Sequence, residues 1–187
     1  MSDIQSIAGL YVIPGFIGED DERDLLACVN RREWDNRLSR RTQHYGYVYK
    51  YRGSKTYYED APEILGIIRD YCEVVEDYCR GRDLNTPRGY FNQIIVNEYT
   101  PGQGIAAHVD DKTQFGDVIF GISMGSDCVM QFRKNNITKE IILPRRSLLI
   151  LSGVARNEYT HAIPARKNDS GTPRGVRVSI TGRHYVG

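Results

Sequence analysis

Apolar residues recur along this chain in two rhythms, helical in the first ninety residues and strand-like beyond them. Leu10 to Ile13 reads as a short strand that Pro14-Gly15 ends. Glu19 to Asn30 reads as a helix, with Glu19, Asp20, Asp21 and Glu22 at its start and Arg31-Arg32 past its end, as the helix dipole favours. Ala61 to Arg80 reads as a longer helix. Pro62 suits its first turn, Ile64, Ile68, Tyr71, Val75 and Tyr78 recur at three- and four-residue spacing, and Gly81 stops it. From Phe91 onward the chain is short strands and turns. Phe91 to Tyr99, Val118 to Met124, Cys128 to Arg133, Ile141 to Leu143 and Leu148 to Leu151 carry the β signal, and Asn135-Asn136 suits a hairpin turn. Strands at such spacing after a helical layer predict an α+β, mainly β fold. The architecture expected is a double-stranded β-helix, or jelly roll.

Residues 39 to 55, SRRTQHYGYVYKYRGSK, stand apart. Tyr45, Tyr47, Tyr49 and Tyr51 alternate as on one strand face, flanked by Arg40, Arg41, Lys50, Arg52 and Lys55. Aromatic faces stack unpaired bases and cations beside them hold phosphates. The plainer alternative is an edge strand whose aromatic face packs on the domain, and the pattern leaves both open.

Candidate chemistry sits after the run NQIIVNEYTPGQGIAAHVD, residues 92 to 110. Asn97 and Tyr99 share a strand face, Pro101-Gly102 and Gly104 make a loop, and His108 and Asp110 follow two apart. An imidazole and a carboxylate presented together suit a borderline metal such as Fe(II), with a second histidine from elsewhere. His161 lies in a short β-like run, Tyr159 to Ile163. Val176 to Arg183 is a strand whose odd positions, Arg177, Ser179, Thr181 and Arg183, are all polar. A strand lining a wet pocket has that pattern. Its six steps span roughly 20 Å. Two converging arginine side chains take up about 12 Å of that, leaving about the length of a five-carbon diacid.

NxYxPG, then HxD, a distant histidine and RxxxxxR together resemble the AlkB family of Fe(II)- and 2-oxoglutarate-dependent oxygenases. The likeness extends to residues 41–47, 123–130 and 143–149, so it runs in order over nearly the whole chain. These flanking stretches look most like the branch whose animal member hydroxylates a modified wobble uridine in tRNA. The resemblance implies that His108, Asp110 and His161 hold Fe(2+); the rival second histidine, His184, lies just past Arg183, outside the order the family shows. It implies that Arg177 takes the distal carboxylate of 2-oxoglutarate, that Arg183 sits nearer the metal, and that Asn97, Tyr99 and Ser179 line the same site. Many family members have asparagine where Ser179 stands. Residues 39–58 would form a substrate lid, with Tyr47, Tyr49, Arg41 and Lys112 meeting nucleic acid and His44 belonging to the lid. Residues 91–186 would form the jelly-roll core. The reaction implied consumes 2-oxoglutarate and dioxygen, releases succinate and carbon dioxide, and hydroxylates a substrate carbon. On an N-methyl group the product collapses to formaldehyde and free base.

Composition narrows this little. Lysine and arginine (25) nearly balance aspartate and glutamate (24), so any nucleic-acid contact is local. The 187 residues fit one domain, 1–187, with no repeat or linker. Cys28, Cys72, Cys79 and Cys128 lack CxxC spacing and suit reduced thiols in an intracellular protein. No signal peptide and no membrane-spanning run is evident, and a monomer is expected. The tRNA-modifying relatives carry RNA-binding and methyltransferase domains that have no counterpart in these residues. The readings are an oxygenase acting on modified or alkylated nucleic acid (repair or tRNA modification), the same chemistry on a protein side chain, or an idle binding module.

Overall fold

The computed structural model describes residues 7–52 and 55–187, and side chains outside 49–58. The strands are β1 (Leu10–Ile13), β2 (Arg41–Tyr45), β3 (Tyr47–Arg52), β4 (Lys55–Asp60), β5 (Gln93–Tyr99), β6 (Ile105–His108) and β7 (Ile119–Met124). They continue with β8 (Cys128–Lys134), β9 (Ile137–Leu143), β10 (Leu148–Leu151), β11 (Thr160–Ile163), β12 (Asn168–Asp169), β13 (Thr172–Pro173) and β14 (Arg177–Arg183). The helices are α1 (Glu19–Asn30), α2 (Gly66–Arg80) and the short α3 (Gly153–Asn157).

The major sheet runs β1-β10-β7-β14-β5-β2 and the minor sheet β6-β11-β8-β9, with neighbours antiparallel. Alternation gives the major sheet two buried faces. Ile94, Val96, Phe120, Ile122, Leu148, Ile150, Val178 and Ile180 pack on Leu25, Val29, Ile68 and Val75 of the two long helices. The other face joins the minor sheet through Tyr99, Ile119, Met130, Phe132, Leu149, Leu151 and Ile163. This is the expected jelly roll under a helical layer. Cys72 and Cys79 are buried in the helix-side core, with burial pushing both thiols up to about 12 and about 11.

Two expectations need correction. Residues 61–65 are not helical; α2 begins at Gly66. Gly46 donates to the Pro62 carbonyl and its own carbonyl accepts from Ala61, so Ala61 and Pro62 are tied to the Gly46 turn rather than forming a first helical turn. The tyrosine run is not one strand either. Gly46 adopts φ +76°, and a Cβ there would meet the Asn92 carbonyl oxygen at 1.9 Å. The chain turns at that point out of the major sheet and into the β3–β4 hairpin. Tyr45 therefore enters the helix-side core and hydrogen-bonds Gln43, while Tyr47 starts the hairpin. Tyr49 and Tyr51 lie among the side chains outside the described set. Arg41 faces the helices, because its register partner Glu98 does. Its guanidinium is held by both oxygens of Glu98 at 2.7 and 2.8 Å and lies over Trp34.

Candidate metal centre and cosubstrate cavity

β6 and β11 pair with His108 opposite His161, which brings the two rings to 4.4 Å between centroids. Gly104 permits that approach, since a Cβ there would sit 2.1 Å from the Ile163 carbonyl oxygen. Asp110 follows on the loop after β6. One ligand atom from each of His108, Asp110 and His161 lies within 4.8 Å of the other two, and no other metal-capable cluster forms among the described residues. His184 is elsewhere: its Nδ1 meets the Tyr90 carbonyl at 2.7 Å and its ring stacks on Tyr90.

Each of the three is presented for ligation. A carbonyl can only accept, so the 2.8 Å contact of His108 Nδ1 with the Ala106 oxygen makes Nδ1 the donor and leaves Nε2 with its lone pair. Burial pushes the His161 pKa down to about 4 despite the nearby Asp110, so the imidazole is neutral at ordinary pH. For Asp110, burial opposes ionisation, but Arg183 first and His161 next outweigh it and hold the carboxyl below its usual range. Asp110 is 7% exposed. Arg156, missed in the sequence, is buried and reaches from α3 to the Asp110 and Asp111 carbonyls at 2.8 and 3.0 Å. It holds the ligand loop by its backbone.

A cavity of about 70 Å³ opens beside this cluster, between the sheets. Its polar wall is one face of β5 and β14: Asn97, Tyr99, Arg177, Ser179, Thr181 and Arg183. Register explains the set, because Arg177 pairs with Tyr99 and Ser179 with Asn97. Ile119, Met130, Leu149 and Ile163 close the apolar side. Wider grooves of about 470 and 510 Å³ lie against α1 and along β2, without a comparable convergence of ligand groups.

Arg177 is the informative member. It is 6% exposed, its Nη2 donates to Ser123 Oγ at 2.8 Å, and its Nε has no partner. Among the described residues no carboxylate pairs with it. A buried guanidinium so placed lacks an anion. A dicarboxylate whose other end chelates a metal would supply one, so the residues present fit Fe(II) and 2-oxoglutarate. Ser123 lies in one of the stretches that carry the resemblance, yet the motifs assign it no site role, since only the β7–β14 register places it beside Arg177. Arg40 was read as lid, yet its Nε donates to Asn97 Oδ1 at 2.9 Å and orients that amide. Lys112 is exposed on the loop two residues past Asp110. His44 sits on β2, its Nδ1 buried without a partner and its pKa pushed down to about 4 by burial and then by Arg183.

Residues 9–183 match the family model described as the 2OG-Fe(II) oxygenase superfamily. An alkylated DNA repair protein ALKBH8 homolog of Arabidopsis thaliana is 31% identical over 93% of this chain and 56% of its own length. The tRNA (carboxymethyluridine(34)-5-O)-methyltransferase alkbh8 of Xenopus tropicalis is 35% identical over 86% of this chain. The match covers 26% of that protein, so the chain spans about half of one relative and a quarter of the other. Among solved structures, OsALKBH1 superimposes with a TM-score of 0.71 at 17% identity, covering 95% of this chain and 97% of that one. A Pseudomonas putida prolyl-4-hydroxylase shares the fold at a TM-score of 0.60 and 16% identity, covering 95% of this chain and 92% of its own. The HxD…H cluster, the unmatched Arg177 and these matches converge: the chain belongs to the 2OG-Fe(II) oxygenase superfamily, and its HxD…H cluster and cavity are those of a site that fits Fe(II) and 2-oxoglutarate.

Proposed function

We propose that this enzyme hydroxylates or oxidatively demethylates modified or alkylated nucleobases in RNA or DNA, modified tRNA included. The observation that carries the nucleic-acid half is the similarity across most of the chain to relatives named for alkylated-DNA repair and tRNA modification. The sequence of the β3–β4 hairpin supports it, with its tyrosines and basic residues. In this reading His108 Nε2, one oxygen of Asp110 and His161 hold the iron, and Arg177 takes the far carboxylate of 2-oxoglutarate. Bound iron and 2-oxoglutarate would activate dioxygen, one oxygen atom passing to the substrate carbon and the other to succinate.

The chain's own groups would do the rest. Arg183 holds Asp110 in orientation, Ser123 steadies Arg177, and Arg40 aims the Asn97 amide into the cavity beside Tyr99 and Ser179. The apolar wall keeps water from the reacting carbon. Tyr47 and Tyr49 from the hairpin, with Lys112 from the ligand loop, would meet the strand. Arg41 is already paired with Glu98.

The test is turnover with Fe(II) and 2-oxoglutarate against methylated oligonucleotides and modified tRNA, read by mass spectrometry. The expected result is loss of a methyl group or gain of one oxygen on a nucleobase. Nucleic acid unchanged throughout, with an oxygen appearing on a protein or peptide added as competitor, would overturn the nucleic-acid reading in favour of a protein substrate.

A further inference from the structure

The residues after β14 fold back as a strap between two parts of the site. On one side, the Tyr185 N–H donates to Asn92 Oδ1 at 2.6 Å, and Asn92 Nδ2 donates to the Tyr185 carbonyl at 3.0 Å. So fixed, the Tyr185 ring lies against Tyr47 with centroids 4.6 Å apart. Tyr47 opens the β3–β4 hairpin, and its carbonyl accepts from Gln93 Nε2 at 3.4 Å. On the other side, the strap is bonded to the loop that follows Asp110. The Gly116 N–H donates to the His184 carbonyl at 2.8 Å, the Val186 N–H donates to the Gln114 carbonyl at 3.0 Å, and Phe115 and Tyr185 form a β-bridge.

Phe115 continues the connection inward. It is buried, and the Arg183 guanidinium lies over its ring at 4.9 Å. Arg183 in turn grips Asp110 at 2.7 Å. The Tyr47–Tyr185 ring contact, the backbone bridge from Tyr185 to Phe115 and the Arg183 guanidinium over the Phe115 ring therefore form a continuous chain of contacts from the base of the hairpin to a candidate ligand carboxylate. Such a chain of contacts transmits a preference only if both ends bias the same element, and then each end must favour the other equally.

We propose that Tyr185 is a positioning residue that couples the β3–β4 hairpin to the metal and 2-oxoglutarate site, so that filling the site holds the hairpin down. This goes beyond the proposed function and is independent of which substrate the hairpin meets.

Hydrogen exchange of the amides in 47–60 tests it, with and without saturating Mn(II) and 2-oxoglutarate, Mn(II) standing in for iron. Loading should slow exchange in the parent by about five-fold or more, the low end of measured couplings. In Tyr185→Ala the loaded-to-unloaded ratio should fall to about one, while Mn(II) is still bound by calorimetry. Tyr185→Phe, which keeps the ring, should retain the slowing. Taking the ratio within each variant removes any general loosening of the fold. If Tyr185→Ala does not fold, Tyr47→Ala removes the same contact from the hairpin side. Exchange unaffected by loading in the parent, or slowed as fully in Tyr185→Ala or Tyr47→Ala, overturns the proposal.

Discussion

Arg183 Nη2 lies 2.7 Å from Oδ1 of Asp110, which leaves Oδ2 facing His161 Nε2 at 3.5 Å. The carboxylate is divided between its two tasks: one oxygen is held by a fixed cation and the other is turned toward the second histidine, where a metal would lie. The division also keeps a buried acid ionised.

Removing that cation should be felt at the metal. In Arg183→Gln burial pushes the Asp110 carboxyl up with less opposition, so a proton competes with the ion for the same oxygen. Mn(II) affinity should fall about ten- to a hundred-fold, as for other groups that orient a ligand. The loss should be larger at pH 6 than at pH 7.5. Titration calorimetry at the two values checks both the size and the trend.

Arg156 holds the same loop from below. Arg156→Met keeps the bulk but leaves the Asp110 and Asp111 carbonyls without their donors, at about 1–3 kcal/mol for each group that stays buried. Urea unfolding should show that loss, with a weaker metal site. An unfolding midpoint equal to the parent's would show that water takes over the two carbonyls.

His44 sets an acid limit on the apo-protein. Its pKa is about 4 in the folded chain against an ordinary 6.5, so between those values the unfolded chain binds a proton that the folded chain refuses. Stability therefore rises with pH across that window, and the His44 share is lost as pH falls from about 6.5 to about 4. At 1.36 kcal/mol per pKa unit the share is up to about 3 kcal/mol. Thermal melts from pH 4.5 to 7.5 should slope upward, and His44→Gln should lessen the slope, with His161, also pushed down to about 4, keeping its own share. Parallel slopes in the two proteins would remove His44 from the account.

Much of this was legible because the local signals agreed. The strand β10 and the helix α1 begin and end where the apolar pattern and the charged flanks put them. The odd positions of Arg177 to Arg183 face a cavity because a strand with polar residues on one face has one wet side. What misled were places where tertiary needs override a local period. Ile64 and Ile68 keep helical spacing, yet residues 61–65 stay outside the helix, with Ala61 and Pro62 bonded to the Gly46 N–H and carbonyl. Tyr45 and Tyr47 look equivalent until Gly46 sends one into the core and the other into the hairpin. Ser123 and Arg156 carry no site role in the sequence pattern, and only long-range pairing brings them to the site.

The placement of Arg41 changes what the lid should do in solution. Tyr47→Ala should weaken single-stranded RNA binding about ten-fold, since stacking on an aromatic contributes about 1–3 kcal/mol per base. Arg41→Ala should leave the salt dependence of binding as it is, because a cation already held by Glu98 releases no counterion from a phosphate. Lys112→Ala should lower that slope instead. Fluorescence anisotropy with a labelled RNA at several salt concentrations separates the three. A flattened slope in Arg41→Ala would mean that the guanidinium leaves Glu98 for the strand.

The central claim is that one cavity takes the metal on His108, Asp110 and His161 and the cosubstrate on Arg177. Calorimetric binding of 2-oxoglutarate with and without Mn(II) tests it most directly. The parent should bind 2-oxoglutarate far more tightly with the metal present, and Asp110→Ala should abolish that dependence. Arg177→Ala should bind Mn(II) as the parent does yet lose 2-oxoglutarate affinity by ten-fold or more, the loss of one charge-assisted pair. Parent-like 2-oxoglutarate binding in Arg177→Ala, or a metal dependence that survives in Asp110→Ala, would contradict the account.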